Sequence, residues 1–137
     1  MMRLNPRLQF DGQCEAAFKF YETCFGGKVT FLMKYGETPE GDKVQPEWRN
    51  KIIHATLVMG DYMLQGADVP ADSYQKPQGF SVNLNLQDAT KAERIFHALA
   101  GNGTVKMEFQ ETFWTRGFGM LTDRFGIPWM INVGKQS

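Results

Sequence analysis

Few side chains in this sequence could do chemistry, and their types and spacing set the first limits. There are only two histidines and two cysteines. His54 lies in an alternating apolar stretch. As a general base or lone ligand it needs a partner in reach, such as Gln9 or an acidic residue across a sheet. The ordinary reading is a satisfied structural histidine. His97 falls beside the apolar stripe of a helix, at its surface or boundary. Phe109, Phe113, Trp114 and Phe118 could wall a pocket and stack on a flat ligand, although such a group also suits a core or a dimer contact. Trp48 reads as a lid or dimer contact and Trp129, beside Pro128, as filler between the two halves of the chain. Arg7, Arg116 and Arg124 could meet an anion, with surface ion pairs as the default. No Gly-x-Ser-x-Gly, HExxH or phosphate-cradling glycine loop is present. A methyltransferase that binds a nucleotide-like cofactor therefore has no support.

The elements that must position these residues occur twice. Leu8 and Phe10 alternate with polar residues, Asp11-Gly12 opens a helix over 13–24, and Ala17, Phe20, Tyr21 and Cys24 form its stripe. Later, Val82, Leu84 and Leu86 alternate, Asp88 opens a helix over 89–100, and Ala92, Ile95, Phe96 and Leu99 form the second stripe. Asp11 and Asp88 read as helix caps. Gly26-Gly27 and Gly101 stop the helices. Strands are predicted over 4–10, 28–34, 52–59, 62–66, 80–86, 104–109, 117–122 and 127–133, with a tight hairpin at Gly60-Asp61. The polar, proline-bearing stretch 37–50 marks an exposed, mobile loop. A second such stretch, 68–79, links a first module of about 1–67 to a second of about 80–137.

Each helix should cover one face of a four-stranded sheet. Alternation then turns Asn5, Arg7 and Gln9, or Ser81, Asn83 and Asn85, toward a cleft between the modules. Those walls would be mostly neutral amide and hydroxyl groups.

With 137 residues, 42% of them hydrophobic, the chain is long enough for one domain and short for two independent ones. Lysine plus arginine equals aspartate plus glutamate, at 15 each, so no overall field recruits nucleic acid or an anionic membrane. The absence of a membrane-length apolar run or a signal-like start points to the cytoplasm. Cys14 and Cys24 share one predicted helix, ten residues and about 15 Å apart, and cannot bridge while it is intact.

Three stretches, 10–21 with Phe25-Gly26-Gly27, Lys51-Ile52-Ile53-His54-Ala55, and 119–129, resemble the PhnB-like branch of the glyoxalase, bleomycin resistance and extradiol dioxygenase superfamily, also called vicinal oxygen chelate. The resemblance covers essentially the whole chain. It implies an α+β fold of tandem βαβββ modules, each sheet a partial barrel, and usually a homodimer. In metal-dependent members, His and Glu on the first and last strands of the modules hold the ion. Carried over approximately, those positions fall near Asn5 or Arg7 and at Gln65, then near Ser81 or Asn83 and at Asn132 or Met130. None is His, Asp, Glu or Cys. The expectation is a small-molecule binding protein without metal or cofactor, its ligand contacts drawn from Gln9, His54, Gln65, Asn83, Trp114, Phe118 and Asn132. Gln65 and Asn132 stand out because both amides sit near the ends of the closing strands. The alternatives are a lyase, isomerase or dioxygenase that uses atypical metal ligands, and an interaction module working through its dimer surface.

Overall fold

A computed structural model describes residues 2–134. Met1 and the last three residues of the expected second module lie outside the described residues. The chain forms two compact units that divide between Gln75 and Lys76.

In the first unit, β1 (Arg7–Phe10) is followed by α1 (Cys14–Phe25), β2 (Lys28–Lys34), β3 (Ile52–Met59) and β4 (Tyr62–Asp68). The second unit repeats that order with β5 (Val82–Leu86), α2 (Ala89–Ala100), β6 (Thr104–Gln110), β7 (Gly117–Thr122) and β8 (Pro128–Val133). The sheets have the same topology, β1-β4-β3-β2 and β5-β8-β7-β6, with the first strand parallel to the last and the other pairs antiparallel. No helix among the described residues is long and apolar enough to cross a membrane.

β1 starts at Arg7 rather than at residue 4, since Pro6 has no N–H to give a ladder and only its carbonyl is used, by Gln65 N–H at 3.0 Å. β3 and β4 turn at Gly60-Asp61 as expected, with Gly60 at φ +59° and Met59 paired with Tyr62.

The α2 stripe is buried as read: Ala92, Ile95, Phe96 and Leu99. The α1 stripe is rotated from the expectation. Cys14, Ala17, Phe18 and Tyr21 are buried, whereas Phe20 and Cys24 are only partly so. The set keeps i, i+3, i+4, i+7 spacing from a start at Cys14, which places Phe18 on the sheet.

Phe18 reaches the sheet because Gly66 leaves room. A Cβ built on Gly66 would lie 2.6 Å from the Phe18 ring and 3.2 Å from the Leu8 carbonyl oxygen. The second unit uses Gly119 in the same way under Phe96, also at 2.6 Å. Because Phe18 and Phe96 are fully buried, neither ring can swing into solvent. Gly66→Ala is expected to cost roughly 1–3 kcal/mol through overpacking, read as a lower urea midpoint at unchanged slope. A neutral result would show that α1 can lift off its sheet freely.

The caps differ from the expectation in one unit. Asp88 does cap α2, accepting from Lys91 N–H at 3.1 Å. Asp11 does not cap α1, which begins after Gln13 without a side-chain cap. Its first N–H, that of Cys14, instead donates to Asp68 Oδ1 at 2.8 Å, and Asp68 Oδ2 accepts from Ile52 N–H at 2.9 Å. Asp68, read from sequence as the start of a polar linker, is therefore the buried end of β4 and ties helix to strand.

Three short 3₁₀ turns, Tyr35–Glu37, Pro39–Lys43 and Pro46–Trp48, run into and through the stretch 37–50, the last two opened by Pro39 and Pro46. Arg49 organises it by donating to the carbonyls of Gly41, at 2.9 Å, and Gly36, at 3.3 Å. Trp48 packs edge-on against Tyr35, whose hydroxyl donates to the Asp68 carbonyl at 2.8 Å. The loop expected over 37–50 is largely exposed, and the order within it comes from bonds to backbone groups, which no motif records.

Candidate functional site

In each unit the helix covers one sheet face, and strand alternation places the sequence-selected polar residues on the other. Leu8, Ala55, Leu57 and Gly66 face α1. Gln9, His54 and Gln65 therefore stand on the opposite face, as do Arg7, Thr56 and Met63. In the second unit Trp129, Ile131 and Val133 face α2, which turns Asn83, Phe118 and Asn132 the other way.

On the first unit, Arg7, Gln65, Thr56 and Phe31 form one row across β1, β4, β3 and β2. His54 lies beside it, with Nε2 3.2 Å from the Thr56 hydroxyl and its ring 5.7 Å from that of Phe31. The imidazole thus has a hydroxyl neighbour and an aromatic one. Neither can hold a proton relay to a carboxylate. Gln65 Nε2 approaches Met63 Sδ at 3.6 Å. Gln9 is exposed.

On the second unit, Asn85, Asn132, Phe118 and Gln110 form a row across β5, β8, β7 and β6. Asn132 Nδ2 donates to Asn85 Oδ1 at 3.1 Å. Each amide keeps further donor or acceptor capacity. The next row is Asn83, Met130, Met120 and Met107. Trp114 stands against Phe118 with ring centroids 5.9 Å apart, and Phe113 against Trp114 at 4.8 Å. Buried Thr115 fixes this segment: its hydroxyl donates to the Val133 carbonyl at 2.5 Å and accepts from Gly117 N–H at 3.2 Å. Phe109 does not join the group. It packs on Phe96, 5.7 Å away, on the helix side.

Register also decides which residues correspond between the units. Phe10 pairs with Asp68, and Leu86 with Val133. The next residue in each case, Val69 or Gly134, donates its N–H to the carbonyl of that first-strand residue at 2.9 Å. Counting back from these ends, Arg7 beside Gln65 matches Asn83 beside Met130, whereas Asn132 beside Asn85 matches Ala67 beside Gln9. Gln65 therefore corresponds to Met130, the second of the two placements that the resemblance left open, and not to Asn132. The first- and last-strand positions carry a guanidinium, amides, a methyl group and a thioether. Among the described residues no group of three or more His, Cys, Asp or Glu side chains could hold a metal ion.

The other candidates resolve into structural roles. Arg116 and Arg124 bond to backbone groups: Arg116 to the carbonyls of Gln87 and Gly134, Arg124 to that of Gly101 at 3.1 Å just past α2. Trp129 packs within the core of the second unit, its indole N–H donating to the buried Asp123 carboxylate at 2.9 Å. His97 is exposed, 3.8 Å from Glu93. Burial, together with the Asp68 carboxylate beside it, raises the Cys14 thiol well above its ordinary pKa, so little of it is thiolate at neutral pH.

Two units of βαβββ order, each with one helix-free sheet face of this kind, define a class. The family model described as the Glyoxalase/Bleomycin resistance protein/Dioxygenase superfamily matches residues 3–131, and the chain belongs to that superfamily. Its fold is that of the PhnB-like members. It is 34% identical to Protein YjdN of Escherichia coli (strain K12), over 98% of this chain and 97% of that one. Among solved structures it is similar to protein PA1353 from Pseudomonas aeruginosa, at a TM-score of 0.87 and 37% identity over 99% of this chain and 100% of that one. It also shares the fold of a Bacillus cereus PhnB protein titled a putative 3-demethylubiquinone-9 3-methyltransferase, at a TM-score of 0.81 and 21% identity over 97% of this chain and 100% of that one.

Proposed function

We propose that this protein binds a small, flat, uncharged ligand on the helix-free faces of its sheets, and that the metal site of its superfamily has been lost. One observation carries the reading: the Asn85–Asn132 amide pair lies in register with Phe118, and Trp114 stands against that ring. Amides orient a carbonyl or N–H, and aromatic rings take the flat body. At the superfamily's ligand positions a divalent ion would exchange its hydration shell for neutral amides and a thioether, with the Arg7 cation nearby. That donor set suits neither a hard nor a borderline ion. On this reading the chain works as a homodimer in the cytoplasm, a state that sedimentation equilibrium would check.

The test is thermal unfolding with flat aromatic amides, beginning with 2-naphthamide. A ligand at a hundred times its Kd stabilises the fold by about 2.7 kcal/mol. Trp114→Ala should weaken binding by roughly five- to tenfold, the value of one aromatic contact. Trp114 is half-exposed, so the variant should fold normally. Gln65→Leu is the matching test on the first unit. A shift unchanged in both variants, or stoichiometric tightly held metal released by His54→Ala, would overturn the proposal.

A further inference from the structure

At the other end of the second sheet from Asn132 and Trp114 lies a pocket of about 440 Å³. Its lining comes from the second unit alone. Pro128 and Thr122 are cross-strand partners on β8 and β7 and supply its floor together with Met120. Phe80 and Ser81, just before β5, make one rim, and Lys106 of β6 makes the other.

The chemistry of this lining is asymmetric. Pro128, Met120 and Phe80 offer apolar surface, and Phe80 is a large apolar side chain left 52% exposed. The polar part is one ammonium and two hydroxyls. Lys106 sits where the β6–β7 register slips between Val105 and Met107, a bulge that takes it out of regular alternation and re-aims it toward the pocket. Among the described residues it has no ion-pair partner, and no carboxylate lines the pocket. An unpaired cation on the rim of an apolar hollow matches a ligand with a hydrophobic body and one negative end.

We infer that this pocket binds an amphipathic monoanion, an aryl or alkyl carboxylate, with its body on Met120, Pro128 and Phe80 and its carboxylate at Lys106, Ser81 and Thr122. The site differs from the amide row in residues and in ligand charge. Lysine rather than arginine at the rim gives a point charge without bidentate geometry, so charge and shape select the ligand more than its exact headgroup.

The experiment is isothermal titration of the full chain with 2-naphthoate and with isosteric, uncharged 2-naphthamide. Naphthoate is expected to saturate at one per chain and to weaken at least fivefold in Lys106→Met, which keeps the stem and removes the charge. Raised salt should weaken it in the wild type and not in the variant. Trp114→Ala should leave naphthoate affinity unchanged while it weakens the amide, so the two sites can fail separately. A lack of saturable naphthoate binding by folded protein, or equal affinity in wild type and Lys106→Met, would overturn the inference. Because Lys106 is exposed, the variant's melting curve should match the wild type, and Thr122→Val gives a second, uncharged test with an expected loss of about twofold or more.

Discussion

Asp123→Ala is expected to destabilise the chain by roughly 3–5 kcal/mol, since each buried donor left unpaired costs about 1–3 kcal/mol. Asp123 is buried and accepts from Phe125 N–H at 2.8 Å and Ile127 N–H at 3.0 Å through Oδ1, and from the Trp129 indole at 2.9 Å through Oδ2. Ile127 and Trp129 are almost wholly shielded, so water cannot replace the lost acceptor without opening the core. The same carboxylate closes the turn from β7 to β8, where Asp123 N–H donates to the Ile127 carbonyl and Gly126 N–H to the Asp123 carbonyl. Urea unfolding followed by tryptophan fluorescence measures the loss. A change below about 1 kcal/mol would mean that solvent already reaches the turn. Trp129→Phe removes one donor and part of a large side chain and should cost less.

The second large effect is at Asp68. Its carboxylate holds the first N–H of α1 and the first N–H of β3 from the end of β4, and its carbonyl takes the Tyr35 hydroxyl. Asp68→Ala orphans two buried donors and should cost about 2–5 kcal/mol. Asp68→Asn keeps the shape but presents an NH₂ to one of those N–H groups, and so should cost less than the alanine.

The asparagine variant also carries a pH signature. Burial raises the Asp68 pKa in the folded protein, outweighing the opposing hydrogen bonds from Ile52 and Cys14. A folded pKa above the unfolded one gives proton-linked stabilisation that is complete below the unfolded pKa and lost as pH rises through the folded one. The stability gap between wild type and Asp68→Asn should therefore widen in favour of wild type as pH falls from about 7 to about 4. A constant or narrowing gap in parallel urea titrations would refute the assignment.

The repeat, both helices and seven of the eight strands to within two residues were legible because apolar periodicity is a local property. His54, Gln65 and Asn132 could likewise be assigned to the polar side of a strand by counting. Their pairing could not. Whether Asn132 corresponds to Gln65 or to Ala67 depends on where parallel β1 and β5 lie along their partners, and parallel pairing leaves no turn in the sequence to fix it. Asp68 was missed for a related reason. An aspartate followed by Val-Pro reads as the start of a loop, and only the arrival of α1 and β3 at its oxygens makes it a buried junction.

Sequence alone determined that the chain would build two βαβββ units, each with a helix-covered face and a polar one, because hydrophobic spacing dictates which side of an element leaves water. Tertiary structure decided what stands beside what: the amide pair with its aromatic neighbours, the two buried carboxylates, and the bulge that brings Lys106 to an apolar hollow. Those contacts join residues from different strands and turns, and their geometry follows from register and packing, which no stretch of sequence specifies by itself.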